Sequence, residues 1–130
     1  PGGVVTSGMA MDDTMQYINP DRSTIVMVQA ASLGSLLAQA GAAGKRFVLP
    51  KSRTMIHQPS GGARGMASDI AIQFEEINRM KKDLTEIYVH HNSKGKTYAE
   101  FEAGMDRDNF LTAQEAVDWG LADEIITNRT

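Results

Sequence analysis

A seven-residue segment, Ser23–Gln29 (STIVMVQ), constrains the fold more than any other part of the chain. It is rich in residues that favour strands and is apolar through its middle, which is typical of a sheet strand covered on both faces. Apolar residues recur at helical spacing over Thr6–Ile18 before it. A run of small residues, Ala and Leu follows it and predicts a helix that begins at Ser32 and ends near Gly41 or Gly44. A strand that is preceded and followed by a helix along the chain predicts an α/β layer structure.

The rest of the chain continues the alternation of helices and strands, and no linker or repeat divides it, so residues 1–130 are predicted to form one domain. The predicted elements are short strands at Arg46–Leu49 and Arg53–His57, a Gly-rich loop at Gln58–Met66, a long helix from an N-cap at Ser68 to about His91, a short helix at Tyr98–Gly104, a helix opened by a capping box at Thr112–Glu115, and a last strand at Glu124–Thr127.

Composition excludes several classes of function. Thirteen Lys and Arg against sixteen Asp and Glu give a net charge of −3, which argues against a nucleic-acid or anionic-membrane partner. The chain has no cysteine and no metal-ligand spacing such as H-E-x-x-H, so no metal site is predicted. No dinucleotide or P-loop fingerprint is present either, and we expect no bound cofactor. Because the chain has no cysteine, a nucleophile would be an oxygen or an amine.

Ser32 and His57 are the first candidates for chemistry. Ser32 follows a predicted strand and opens a helix, so its hydroxyl either caps the helix or acts as a nucleophile beside unpaired backbone N–H groups. His57 ends a predicted strand before a Pro- and Gly-containing loop, where it is either a hydrogen-bonded structural residue or a side chain that reaches into a cleft. Residues alone leave both choices open.

Glycine pairs and acidic residues are the second group of candidates. Gly2 and Gly3, and again Gly61 and Gly62, provide turns or expose backbone N–H groups to an oxyanion or an extended peptide. The aspartates in the polar segment Met105–Phe110 are either solvated or functional. The sequence also predicts that the two histidines at the end of the long helix are solvated cations near its C-terminus.

Five motifs, in this order along the chain, resemble signatures of the proteolytic subunit of the Clp protease family. They are PGGV (Pro1–Val4), DTMQY (Asp13–Tyr17), QAASLG (Gln29–Gly34), MIHQP (Met55–Pro59) and RDNFL (Arg107–Leu111) followed by Glu115 and Ala116. The resemblance extends from the first residue to the last. It implies the Clp protease/crotonase-like α/β fold, with repeated ββα units and a protruding handle helix from Asp69.

The resemblance also implies a role for individual residues. Ser32 stands at the position of the nucleophile, His57 at that of the general base, and Asp108 at that of the acid that orients the histidine. The backbone N–H groups of Gly3 and Leu33 would form the oxyanion hole. The substrate peptide would be held between the strand after Gly3 and the loop around Ser60 to Gly62, which implies substrate-binding residues Gly2, Val5, Ser60 and Gly62.

The chain departs from the family pattern at a few positions. Met66 replaces a usual glutamine, Asp12 replaces a usual aromatic residue, and the segment before Asp108 is two residues longer. The insertion leaves Asp106 as an alternative acid, and Asp108 is preferred because it keeps the Arg-Asp-x-Phe frame. The family's N-terminal third has no counterpart, so we expect either part of a longer chain or a sheet that cannot close fully.

A Clp protease subunit implies a serine endopeptidase that cuts unfolded polypeptides inside two stacked heptameric rings. A hexameric AAA+ unfoldase would feed the chamber and use the ATP. The loop wording Gln58–Gly65 is most similar to mitochondrial members, so we expect the mitochondrial matrix or a bacterial cytoplasm. Two alternatives stay open: a non-catalytic structural subunit of a mixed ring, and a crotonase-type enzyme acting on acyl-CoA thioesters.

Overall fold

Helices and strands alternate along the chain in a computed structural model that describes residues 1–128. The helices are α1 (Val5–Tyr17), α2 (Leu33–Gln39), α3 (Ala67–His91), α4 (Tyr98–Gly104) and α5 (Ala113–Asp118). The strands are β1 (Thr24–Val26), β2 (Gln29–Ala31), β3 (Arg46–Val48), β4 (Arg53–Ile56), β5 (Asn109–Thr112) and β6 (Glu124–Ile125). The mixed α/β architecture predicted from the sequence is confirmed.

The strands form two small sheets rather than one. In the order β1-β3-β6 all neighbours are parallel, whereas in the order β2-β4-β5 the pair β4 and β5 is antiparallel. The predicted single strand Ser23–Gln29, covered on both faces, is wrong in two respects, because Ile25 in its middle is exposed and because the strand is interrupted. It breaks after β1 at Met27 and Val28, which are exposed, and resumes as β2. One extended segment therefore contributes a strand to each sheet.

Two apolar clusters hold these layers together. The larger cluster joins α2 and β4 to the helices α3, α4 and α5. Its largest fully buried side chains are Leu36, Ile56 and Phe101. The smaller cluster lies under the parallel sheet and includes Val26 and Val48. Because α2 and β4 both belong to the larger core, the residue before α2 and the residue after β4 are held at its edge.

Two predicted helix starts have different outcomes. The capping box at Thr112 is confirmed, with the Thr112 hydroxyl accepting from the Glu115 N–H at 3.2 Å and Glu115 accepting from the Thr112 N–H at 3.2 Å. The N-cap predicted at Ser68 is wrong, because α3 begins at Ala67 and its N-cap is Met66.

Strand β5 was not predicted, because its flanking polar residues obscure a short β-type run. The last strand ends at Ile125, two residues before the predicted end.

Candidate active site

Ser32 lies at the turn between β2 and α2, in a backbone conformation that residues other than glycine rarely adopt. Its φ of 56° and ψ of −124° make it the one residue other than glycine with a positive φ within residues 1–128. Its N–H donates to the Met55 carbonyl of β4 at 2.9 Å. Its hydroxyl makes no capping hydrogen bond to α2, so the helix-cap interpretation of Ser32 is wrong. The turn instead aims the side chain out of the helix.

The Ser32 side chain contacts His57. His57 follows the last residue of β4, and its Nε2 lies 2.8 Å from Ser32 Oγ. The other ring nitrogen, Nδ1, lies 3.2 Å from Oδ1 of Asp108. The His57 side chain is 23% exposed and the Asp108 side chain 64% exposed, so the histidine is partly shielded and the carboxylate is solvated. His57 thus hydrogen-bonds to Ser32 on one side and contacts the Asp108 carboxylate on the other.

The pairing of β4 with β5 explains why Asp108 reaches His57. The two strands are antiparallel and Ile56 pairs with Asn109, so continuing the register by one residue sets His57 opposite Asp108. Asp106 lies farther along the turn, where its backbone carbonyl accepts from the Gln58 amide at 2.9 Å. Of the two candidate aspartates, the structure brings Asp108 into contact with His57.

An open cavity of about 510 Å³ lies beside His57. Its lining residues are His57, Gln58, Pro59, Ser60, Asp106, Arg107 and Asp108. The polar rim comes from the loop after β4 and the turn before β5. Ser32 is not among the lining residues, so the cavity adjoins the His57 and Asp108 side of the site.

Gly2 approaches the nucleophile candidate more closely than any side chain would permit. A Cβ added at Gly2 would lie 2.6 Å from Ser32 Cβ and 2.9 Å from Ser32 Oγ. Leu33 is the first residue of α2, so its backbone N–H has no acceptor within its own helix. The segment Pro1–Val4 and the N-terminus of α2 thus lie side by side at Ser32.

The expectation of a strand after Gly3 is wrong, because α1 begins at Val5. Val5 packs partly buried against the larger core, and only Pro1–Val4 remain available as extended backbone.

Ser60 and Gly62 lie where predicted, in a segment without helix or strand, and a Cβ at Gly62 would meet nothing within 4 Å. The loop is tied to the long helix by Gln73, whose side chain accepts from the Arg64 N–H at 3.4 Å and donates to the Arg64 carbonyl at 3.3 Å.

The prediction that His91 is a solvated cation is wrong, whereas His90 is exposed. The His91 side chain is 9% exposed, and its Nε2 lies 3.5 Å from Oδ1 of Asp12, itself buried. Burial lowers the pKa of His91, and the neighbouring Asp12 carboxylate opposes that shift.

An ion pair between the buried Arg46 and the partly buried Asp123 lies near the same helix end. The Arg46 guanidinium contacts both carboxylate oxygens of Asp123 at 2.9 Å and also donates to the His91 carbonyl. Arg46 holds the pKa of Asp123 below its usual range, although burial opposes that shift. No local pattern predicts this pair, because its partners are 77 residues apart.

No group of three or more His, Cys, Asp or Glu side chains in residues 1–128 is arranged to hold a metal ion. None of the helices described is both long enough and apolar enough to cross a bilayer.

An α/β fold that places a histidine between a serine and an aspartate, in contact with both, has the arrangement of a serine hydrolase. The family model for Clp protease matches residues 1–129. The chain belongs to the Clp protease family, and its domain is that of a Clp-type protease, as the five motifs predicted.

Proposed function

We propose that this chain is a serine endopeptidase in which Ser32 is the nucleophile, His57 the general base and Asp108 the residue that orients the histidine. The observation that carries the proposal is the 2.8 Å contact between Ser32 Oγ and His57 Nε2. A serine hydroxyl is a weak nucleophile unless an adjacent base accepts its proton. The 3.2 Å contact of His57 Nδ1 with Asp108 supports the tautomer in which Nε2 is free to accept that proton.

The chemistry follows from these contacts. Ser32 Oγ attacks the carbonyl carbon of the scissile peptide bond while His57 Nε2 takes the hydroxyl proton. His57 then donates this proton to the leaving amine, and the acyl group remains on Ser32. Water attacks the ester with His57 again as the base. The bond between the acyl carbon and Ser32 Oγ then breaks, His57 returns the proton to Oγ, and the new carboxylate product leaves. The Asp108 carboxylate stabilises the imidazolium in both halves of the reaction.

The oxyanion that forms in each step needs backbone donors. Leu33 N–H at the start of α2 is one donor, since it has no acceptor within its helix and lies next to the nucleophile. Gly3 N–H is the second, and the close approach of Gly2 to Ser32 supports its placement. Removing one such donor typically costs about 10²–10³ in kcat.

The substrate in this proposal is an extended polypeptide. Its backbone would pair with Gly2 on one side and with Ser60 and Gly62 on the other, because these segments have no partner strand of their own. Val5 belongs to α1, so its contribution is limited to packing at the start of that helix.

The finer features of the family complete the proposal. Helix α3 carries exposed apolar side chains at Ile70, Ile72 and Phe74, which suits a handle that docks two heptameric rings. A hexameric AAA+ unfoldase would use ATP to deliver unfolded chains to the chamber. The mitochondrial matrix or a bacterial cytoplasm is the proposed location.

Labelling with a fluorophosphonate probe tests the proposal most directly. We expect mass mapping to find the phosphonyl adduct on Ser32, and we expect both labelling and cleavage of a fluorogenic peptide to be lost in Ser32→Ala and His57→Ala. Ser23→Ala, which removes an exposed hydroxyl bonded to the Lys45 carbonyl, is the matched control. Asp108→Asn should lose less than the roughly 10⁴-fold known for a buried triad aspartate, because solvent screens this exposed carboxylate.

The same experiment separates the alternatives. A folded, assembled protein with no labelling and no peptide cleavage would refute the proposal and favour a structural subunit. Turnover of an acyl-CoA that survives Ser32→Ala would favour a crotonase-type enzyme.

A further inference from the structure

The backbone carbonyl of Ser32 accepts an unusual set of hydrogen bonds. Within α2 it accepts from the N–H of Ser35 at 2.9 Å and from that of Leu36 at 3.3 Å. It also accepts from the Ser35 hydroxyl at 2.6 Å and lies 3.3 Å from the hydroxyl of Tyr88. Two side-chain hydroxyls therefore converge on a carbonyl that already has its helical partners.

This carbonyl belongs to the same peptide unit as the Leu33 N–H. A trans peptide is planar, so its C=O and N–H bonds point in opposite directions and rotate together. Any group that holds the Ser32 carbonyl on one side therefore sets the direction of the Leu33 N–H on the other. The sparsely populated conformation of Ser32 makes such support necessary, because strained backbone persists only where its surroundings hold it.

Tyr88 reaches the site from α3, and its environment keeps it in place. Its hydroxyl lies 2.5 Å from Ser35 Oγ, and its ring is buried and stacks on Phe101 at a centroid distance of 5.4 Å. Burial raises the pKa of the Tyr88 hydroxyl, with the hydrogen bond to Ser35 opposing, so the group keeps its proton. The distances favour a chain in which Tyr88 donates to Ser35 and Ser35 donates to the Ser32 carbonyl.

We propose that Ser35 and Tyr88 are positioning residues of the oxyanion hole, which hold the Ser32–Leu33 peptide so that the Leu33 N–H points at the developing oxyanion. This inference rests on the proposed function, because it assigns Leu33 N–H as an oxyanion donor. Neither hydroxyl touches the substrate. The chain of hydrogen bonds also polarises the peptide, which makes its N–H a stronger donor. Helix α3 is thereby linked to the chemistry at Ser32.

The variants Tyr88→Phe and Ser35→Ala test this role, since each removes one hydroxyl and leaves a side chain of similar shape. We expect kcat for a fluorogenic peptide to fall about tenfold in each, less than the roughly 10²–10³ that follows complete loss of an oxyanion donor. KM and the inhibition constant of an uncleaved product peptide should stay within about twofold, because these report ground-state binding. A peptide boronate, whose tetrahedral adduct occupies the oxyanion hole, should bind more weakly by the same factor as kcat/KM falls.

Two matched variants control for the loss of a buried hydroxyl. Thr85 is one turn before Tyr88 on the same helix, is equally buried, and donates to the Lys81 carbonyl at 2.7 Å. Ser52 is fully buried and donates to the Leu49 carbonyl at 2.8 Å. Thr85→Val and Ser52→Ala should cost stability without changing the affinity for the boronate.

The double variant Ser35→Ala/Tyr88→Phe tests whether the two hydroxyls act in series. If Tyr88 acts through Ser35, its removal adds little to the loss in Ser35→Ala, and the two effects are not additive.

The outcomes separate this inference from the proposed function. If the unaltered protein cleaves peptide through Ser32 but both single variants keep kcat and boronate affinity within twofold, the positioning role is refuted and the serine mechanism stands. A rise in KM with unchanged boronate affinity would refute it too. If Ser32→Ala retains cleavage, the proposed function fails, whatever Tyr88→Phe does.

Discussion

Adding one methyl group at Gly2 should displace Ser32, the proposed nucleophile, while leaving most of the fold intact. In Gly2→Ala the new Cβ would lie 2.6 Å from Ser32 Cβ and 3.3 Å from the Ala31 carbonyl oxygen. Carbon atoms in contact normally stay about 3.5–4.0 Å apart, so one partner must move by about 1 Å. A displacement of about 1 Å in a catalytic group costs on the order of 10²-fold in rate, or about 2.7 kcal/mol of barrier.

The assay measures kcat for cleavage of a fluorogenic peptide, and thermal unfolding is measured on the same preparation. If Ser32 moves, it loses its alignment with His57, and if the segment Pro1–Val4 moves instead, Gly3 leaves the oxyanion. Both routes lower kcat. Gly3→Ala is the comparison, because a methyl there meets nothing within 4 Å and the backbone N–H is retained, so its loss should be much smaller. A Gly2→Ala variant within about threefold of the original kcat would show that the contact does not position the nucleophile.

Three further predictions concern stability. Asp123→Ala should lower the free energy of unfolding by about 3–5 kcal/mol in denaturant titrations, because it leaves the buried Arg46 charge unpaired; a change below about 1 kcal/mol would contradict this. Burial lowers the pKa of His91 in the folded protein, so the unfolded chain binds the proton more readily and stability should fall as the pH drops below about 6.5. Melting curves of His91→Gln should show a weaker pH dependence in that window, and an unchanged slope would exclude His91 as its source. Gly120→Ala should lower the melting temperature markedly, since Gly120 has a φ of 84° and a Cβ there would lie 2.7 Å from Asn92 Oδ1; an unchanged melting temperature would refute this steric argument.

Short-range patterns in the sequence predicted most of the elements and the nucleophile candidate. Such patterns involve residues only a few positions apart, so they can be recognised in the sequence alone. Examples are the small residues Ala30 and Ala31 before Ser32 and the capping box at Thr112. The same patterns misplaced features that depend on distant partners. The N-cap at Ser68 and the strand after Gly3 satisfied local rules that the folded chain does not use.

The site shows where local information ends. The sequence by itself determined that Ser32 stands between a strand and a helix and that His57 lies at the C-terminal end of a strand, although β4 stops one residue before it, at Ile56. Only the tertiary structure decided that Asp108 rather than Asp106 meets His57, because the antiparallel register of β4 and β5 sets that contact across about fifty residues of chain. It also decided that the Tyr88 hydroxyl, 56 residues from Ser32, lies 3.3 Å from the Ser32 carbonyl oxygen. Local preferences act along the backbone, whereas such contacts exist only once the core has packed and brought separate segments together.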